Sequence, residues 1–197
     1  LNHCGELKHL IKYILEQGYA VAAYDAPGHG LSTGDRAAVD DFSEYSAALT
    51  DFTNVLKNQL QGPYHLIGFS TGSSAAIEYL LTGRNTFDKV ILAAPLVRCW
   101  AWEQSKTAFK FYSKFTDSVP RWPRNNSHDK EFIHFNRKKD YLHAQWVPIK
   151  WVNALHNWND KIEHAQPSNK PIKIIQGTDD TTVDADYNIA FLRKKFP

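Results

Sequence analysis

The chain contains no methionine and only two cysteines among its 197 residues. Cys4 and Cys99 make no disulfide framework and lack the spacing of metal ligands, so we expect no metal site built on cysteine. No apolar run approaches the roughly 20 residues of a membrane-spanning helix. Lysine and arginine number 23 against 21 aspartates and glutamates, and this balance gives no reason to expect a nucleic-acid partner. What remains is an ordinary globular composition, with enough residues for one substantial core.

The stretch with the clearest chemistry is Gly68-Phe69-Ser70-Thr71-Gly72. A short apolar run at 64–67 predicts a buried strand before it, and a small-residue helical run follows it. Strand, sharp turn and helix is the context in which G-x-S-x-G forms a nucleophile elbow, with the serine raised above the sheet. We expect Gly68 and Gly72 to keep the turn free of colliding side chains, and the Thr71 N–H to face a substrate oxyanion. The alternative is an ordinary Gly/Ser loop.

The rest of the chain predicts an α/β fold. Short apolar runs indicate strands at 19–24, 89–94 and 172–176, and helical patterns lie between them and after Asp184. Strands that alternate with helices at short connections form a parallel sheet with helices on both faces. We therefore expect a mostly parallel sheet with flanking helices, divided into a first core part at 1–97 and a second at 166–197.

Between these parts, residues 98–165 carry all six tryptophans and no strand pattern. The stretch has twelve lysines and arginines against seven aspartates and glutamates. Its position after a sheet strand favours a helical, aromatic lid over the site, with Trp100 and Trp102 contacting the substrate. The alternative is a plain helical subdomain whose aromatic side chains fill its own core.

Three motifs together resemble one family. They are Asp-Ala-Pro-Gly-His-Gly-Leu-Ser-Thr-Gly at 25–34, the elbow at 68–72, and Gly-Thr-Asp-Asp-Thr-Thr-Val-Asp at 177–184. The chain resembles the lysophospholipase and monoacylglycerol-lipase branch of the α/β-hydrolases, which is related to the proline-iminopeptidase-like serine hydrolases. The resemblance implies the α/β-hydrolase fold, Ser70 as nucleophile and Asp180 as acid of a catalytic triad, with Asp179 as the alternative acid. It also implies that Gly28, His29 and Gly30 form a tight turn, in which His29 fixes the turn by hydrogen bonding.

The triad of this family requires a histidine after the acid, and no histidine follows Asp180. The family's His-Gly pair, which brings the second oxyanion donor, also has no counterpart in the chain and would precede Leu1. The resemblance therefore predicts a fragment that is truncated at both ends. Other histidines of the chain could replace the base only against the chain order of the fold.

The function that these patterns predict is hydrolysis of lipid-like acyl esters, such as a lysophospholipid or monoacylglycerol, through an acyl-enzyme and without a cofactor or metal. A serine aminopeptidase and a non-catalytic binding protein of the same fold stay open as alternatives. The basic, aromatic lid suggests a peripheral membrane contact, and we expect a cytoplasmic protein with membrane association as a further option. The oligomeric state stays open.

Overall fold

The computed structural model describes residues 2–121 and 127–197, so Trp122 lies outside the described residues. A 3₁₀ turn at Cys4–Leu7 opens the chain. The helices and strands then follow in the order α1 (Lys8–Glu16), α2 (Ser43–Gln59), β1 (His65–Phe69), α3 (Thr71–Leu81), β2 (Lys89–Ala93), α4 (Trp102–Tyr112), β3 (Ser118–Pro120), α5 (Lys130–Lys138), β4 (Trp146–Pro148), α6 (Ile149–Glu163), β5 (Lys173–Ile175) and α7 (Ala185–Lys195).

The main sheet is parallel and has the strand order β1-β2-β5. Ile67 pairs with Ile91, and Leu92 pairs with Ile174, so apolar residues meet across the sheet. This confirms the predicted parallel sheet. Because all three strands run in one direction, their carboxyl ends lie at one edge, where α/β proteins place their active groups.

The predicted strand at 19–24 is absent from the described structure. None of the described strands forms a backbone hydrogen-bonded ladder with this segment. Its aromatic residues pack by side-chain contact instead: the Tyr24 ring lies 4.6 Å from that of Phe52 in α2, and the Tyr19 ring lies 6.1 Å from His65 in β1. An apolar, β-prone sequence does not become a strand unless a neighbouring strand pairs with it.

Helix α3 is the centre of the core. It follows β1 directly, and nearly all of its side chains are buried between the sheet and helix α2. Small residues such as Ala76 let the neighbouring elements approach closely, while Ile77 and Leu80 belong to the same buried cluster as Leu92 of β2. Burial of each such side chain contributes roughly 1.5–3 kcal/mol. The helix that follows the elbow is therefore held rigidly.

The insertion between β2 and β5 is mainly helical, as predicted. It also contains a pair that the sequence did not indicate, in which β3 and β4 are antiparallel and Val119 faces Val147. Three-residue strands are too short to show a periodic pattern. Its last helix, α6, packs on the core: Trp151 Nε1 donates to the Tyr45 hydroxyl at 3.1 Å, and Trp158 Nε1 donates to Glu78 Oε2 at 3.0 Å.

The insertion thus fills part of the core and also lies next to the candidate site described below. Its boundaries at residues 98 and 165 stay predictions. Within the residues that the structure describes, no helix has the length and apolarity needed to cross a membrane.

Candidate active site

Ser70 occupies the turn between β1 and α3 with φ 51° and ψ −115°. A non-glycine residue adopts a positive φ of this kind only when its surroundings hold it there. Two backbone hydrogen bonds do so: Ser70 N donates to Ala93 O at 3.0 Å, and Ser73 N donates to Ser70 O at 2.9 Å. Ser70 thus lies in a strained turn between a strand that ends at Phe69 and a helix that begins at Thr71, and its role as a nucleophile stays a prediction.

The two glycines of the elbow differ in what surrounds them. A Cβ atom on Gly68 would lie 2.9 Å from both Gly72 O and Ser73 Cα, inside the first turn of α3. The Ser73 hydroxyl also donates to Gly68 O at 2.8 Å, which fixes strand and helix at this distance. A Cβ atom on Gly72 would meet nothing within 4 Å. The expectation that a side chain at Gly72 would collide is therefore wrong, because its missing side chain would point away from the turn.

Thr71 is the first residue of α3 and is buried. The first N–H groups of an α-helix have no acceptor within the helix, and the helix dipole makes this end favourable for negative charge. The residue after Ser70 therefore has the position that an oxyanion donor requires. The assignment of Thr71 to that role stays a prediction.

Asp180 lies in the loop after β5, and three donors hold its carboxylate. Oδ1 accepts from Thr182 N at 2.7 Å and from Val183 N at 3.1 Å, and Oδ2 accepts from Gln176 Nε2 at 2.9 Å. A carboxylate has about four acceptor positions. The three donors named here leave one position on Oδ2, which is enough for a single N–H of an imidazole.

Asp179 has a different environment. Its side chain is 76% exposed, and its Oδ2 lies 3.7 Å from His128 Nε2, which is itself on the surface. An exposed pair of this kind contributes little. The geometry favours Asp180 over Asp179 as the acid that would orient a base.

One segment of chain, residues 94–100, connects the serine turn to the acid loop. At its start Leu96 N donates to Ser70 O at 3.4 Å, and at its end Trp100 N donates to Thr182 O at 3.0 Å. Between them Cys99 forms an antiparallel bridge with Val183. The two predicted catalytic residues are therefore held through a shared backbone framework at the carboxyl ends of β1, β2 and β5.

A cavity of about 450 Å³ adjoins Asp180. The lid contributes Trp100, Ala101 and Gln104 to its wall, and the acid loop with the start of α7 contributes the remainder, which includes Asp184 and Asp186. Ser70 is not among the residues that line it. Trp100 thus lines the same cavity as Asp180, and its contact with a substrate stays a prediction.

Trp102 does not line this cavity. It is only 5% exposed, its ring meets the His156 ring edge-on at 4.7 Å, and the Arg98 guanidinium lies 5.4 Å from it. Because Trp102 is enclosed within the lid, a direct substrate contact by its ring has no geometric support.

The turn at 25–34 is tight for the reason that its glycines suggest. Gly28 and Gly30 have φ of +72° and +50°, and a Cβ atom on Gly30 would fall 2.0 Å from the Asp25 carboxylate. His29 is buried, and its Nδ1 donates to Pro27 O at 2.9 Å. Burial lowers the pKa of His29 to about 4, so the ring is neutral at pH 7.

Sequence analysis missed Gln176, the residue that donates to Asp180 Oδ2. Its position directly before the Gly-Thr-Asp-Asp motif, at the end of β5, was the available signal. Among the described residues, no histidine forms a hydrogen bond with Ser70 or with Asp180.

A serine elbow and an acid loop at the carboxyl edge of a parallel sheet define the α/β-hydrolase fold, and solved structures agree. The monoacylglycerol lipase of Paleococcus ferrophilus superposes with a TM-score of 0.81 at 19% identity, over 98% of this chain and 76% of that one. The sequence profile described as "Serine aminopeptidase, S33" matches residues 1–195. The chain belongs to this family of α/β-hydrolases.

Two curated relatives are similar in sequence. A monoglyceride lipase homolog of monkeypox virus is 24% identical over 198 residues, which cover 98% of this chain and 72% of that protein. The monoglyceride lipase of Rattus norvegicus is 32% identical over 97 residues, about half of this chain and only 32% of that enzyme. The matched part of the rat enzyme is thus about a third of its length. These relatives support hydrolysis of lipid esters as the general activity of the group.

Proposed function

We propose that this protein is a serine carboxylic-ester hydrolase that acts on lipid-like acyl esters, with a monoacylglycerol or a lysophospholipid as substrate. The observation that carries the proposal is the backbone of Ser70, held at positive φ between a buried strand and the start of a buried helix. A strained serine in this context presents its hydroxyl as a nucleophile. The similarity to monoglyceride lipases supports the choice of substrate.

In the proposed reaction, Ser70 Oγ attacks the ester carbonyl carbon while an imidazole base takes its proton. The N–H of Thr71 donates to the oxyanion that forms, a contribution of about 10²–10³ in kcat for one such donor. The imidazole then gives its proton to the leaving alcohol. Water, activated by the same base, releases the fatty acid and restores Ser70.

Asp180 would orient that base. Three of its acceptor positions are occupied, so the remaining position on Oδ2 would accept the Nδ1–H of the imidazole. The proposal therefore requires a histidine at this free position in the active protein. His29 does not meet the requirement, because its Nδ1 already donates to Pro27 O.

The lid gives a reason to propose contact with a membrane surface. Phe111 and Phe115 on and just after α4 are 62% and 74% exposed, and their rings lie 5.3 Å apart. Lys110 and Lys114 accompany them in the sequence. Exposed aromatic rings beside lysines suit an interface that contains anionic lipid, from which an acyl ester would enter.

A serine aminopeptidase is the second candidate, and one observation favours it. Asp184 and Asp186 also line the cavity beside Asp180, and an acidic lining would suit the ammonium group of a peptide substrate. The family description points the same way. Against it stand the basic lid and the named lipases among the relatives.

The test compares esters and amides with the protein as its natural gene encodes it. We expect turnover of monoacylglycerol or lysophospholipid, at least 10³-fold reduced in Ser70→Ala, and little release from aminoacyl arylamides. Ser113→Ala, at an exposed serine of the lid, serves as the matched control and should retain activity. Faster arylamide than ester hydrolysis, lost in Ser70→Ala, would establish the aminopeptidase instead. Equal activity of the wild type and Ser70→Ala would refute both.

A further inference from the structure

Five ionisable side chains, none of them part of the serine turn or the acid loop, form a buried cluster. His3 and Glu6 come from the N-terminal 3₁₀ turn, and Arg121, Asp140 and His143 come from the lid. The side chains of Glu6 and Asp140 are 2% and 4% exposed, and those of His143 and His3 are 9% and 11% exposed. Charges buried to this degree are costly unless they are paired.

The first pair joins His3 of the turn to Asp140 of the lid. His3 Nε2 lies 2.9 Å from Asp140 Oδ2, and His3 Nδ1 accepts from Gly5 N at 3.2 Å. Because Nδ1 accepts, the proton of the neutral ring is on Nε2 and faces the carboxylate. Leu142 N donates to Asp140 Oδ1 at 3.0 Å and fixes that side chain.

The second pair joins the same two parts of the chain, but here the lid provides the imidazole and the turn provides the carboxylate. His143 of the lid places Nδ1 3.6 Å from Glu6 Oε1 of the turn. Arg121 Nη1 lies closer to His143 Nε2 than to Nδ1, which is 3.5 Å away, so Nε2 is the acceptor and the proton of the neutral ring is on Nδ1, facing Glu6. Both carboxylate oxygens of Glu6 are buried without a hydrogen-bond partner among the described residues, so the facing His143 N–H matters for this charge.

The spacing alone would also suit a metal ion, because ligand atoms of His3, Glu6 and Asp140 lie within 4.8 Å of one another. A metal-bound imidazole offers its lone pair to the metal and donates an N–H from its other nitrogen. Here both rings accept at the outer nitrogen and direct their protons inward, and the guanidinium of Arg121 lies beside them. The donors around the rings therefore select proton-mediated pairing over metal ligation.

We propose that these residues form a reciprocal clasp that holds the lid segment 140–143 on the N-terminal turn. Each side contributes one imidazole N–H and one carboxylate, so separation of the lid breaks both pairs at once. The N-terminal turn is itself joined to the glycine turn at 25–34, because Cys4 N donates to Asp25 Oδ1 at 2.7 Å. The clasp thereby sets the position of the lid relative to the glycine turn at 25–34, and it does not depend on the proposed catalytic function.

Hydrogen–deuterium exchange on the protein as its natural gene encodes it tests the clasp. We expect Asp140→Asn, which is isosteric, to raise the exchange rate about tenfold in both the turn at 3–7 and the lid at 140–148. Glu6→Gln should do the same from the other side. His9→Gln and Asp51→Asn, at exposed positions, are the controls and should change neither segment. A rise confined to the substituted segment would overturn the clasp.

The tautomers provide a second test that needs no variant. In ¹H–¹⁵N spectra of the wild type near pH 7.5, we expect the proton on Nε2 of His3 and on Nδ1 of His143. The opposite tautomer on both rings would overturn the proposal. A third result would also overturn the proposal. If added Zn²⁺ slows hydrogen–deuterium exchange in both segments of the wild type but not in Asp140→Asn, the cluster is a metal site.

Discussion

We expect one added methyl group to have opposite effects on stability at the two glycines of the serine turn. In Gly68→Ala, the new Cβ would lie 2.9 Å from Gly72 O and from Ser73 Cα, and 3.0 Å from Ser73 N. These are backbone atoms at the start of a buried helix, so they cannot move aside as a flexible side chain would. Overpacking of this kind costs about 1–3 kcal/mol of the free energy of unfolding.

In Gly72→Ala, the same methyl group meets no atom within 4 Å and lies on an exposed helical position. Alanine also restricts the unfolded chain more than glycine does, so we expect a gain of about 0.5–1 kcal/mol. Urea denaturation followed by circular dichroism measures both. The steric argument fails if Gly68→Ala is as stable as the wild type, or if Gly72→Ala loses as much stability as Gly68→Ala.

Three further predictions concern stability. Burial lowers the pKa of His29 to about 4, so the unfolded chain binds a proton at higher pH than the folded protein does. Acidification from pH 6.5 to 4 should therefore lower the free energy of unfolding by about 3 kcal/mol. His29→Gln should lack this pH dependence, and its persistence in the variant would contradict the assignment to His29. Burial alone would raise the pKa of Asp140, but hydrogen bonds from His3 and from Leu142 N outweigh burial and leave this pKa lowered. The contribution of Asp140 to the free energy of unfolding is therefore complete above about pH 4 and is lost as pH falls through the lowered pKa. Acid unfolding curves of wild type and Asp140→Asn that coincide would contradict this. Trp102→Ala should lower the free energy of unfolding by about 3–5 kcal/mol, because the ring is enclosed. Trp100→Ala removes a half-exposed ring and should lower it by less than about 1 kcal/mol. Thermal or urea unfolding measures both, and equal losses would refute the distinction.

Sequence patterns predicted the parts of the fold that depend on neighbouring residues. The apolar run before Gly68 became β1, and Asp184 caps α7 by accepting from Tyr187 N at 3.1 Å. The run at 19–24 has a similar composition and forms no strand, because strand formation also needs a partner that a local pattern does not contain. The antiparallel pair β3 and β4 was missed because each strand has only three residues.

In the candidate site, too, local motifs could be predicted from the sequence and contacts between distant residues could not. The serine turn and the acid loop are each contiguous motifs, so their residues could be identified from spacing. The steric difference between Gly68 and Gly72 depends on the direction in which each missing Cβ would point, and both glycines occupy equivalent places in the motif. The pairing of His3 with Asp140 joins residues 137 positions apart in the chain, and no short-range pattern relates them.

The central claim is that Ser70 is a nucleophile, and covalent labelling tests it most directly. The protein as its natural gene encodes it would be treated with a fluorophosphonate, and the intact mass and the labelled peptide would be measured by mass spectrometry. We predict one adduct, located on Ser70 and absent from Ser70→Ala. Failure of the folded wild type to form any adduct, or an adduct that persists in Ser70→Ala, would contradict the account.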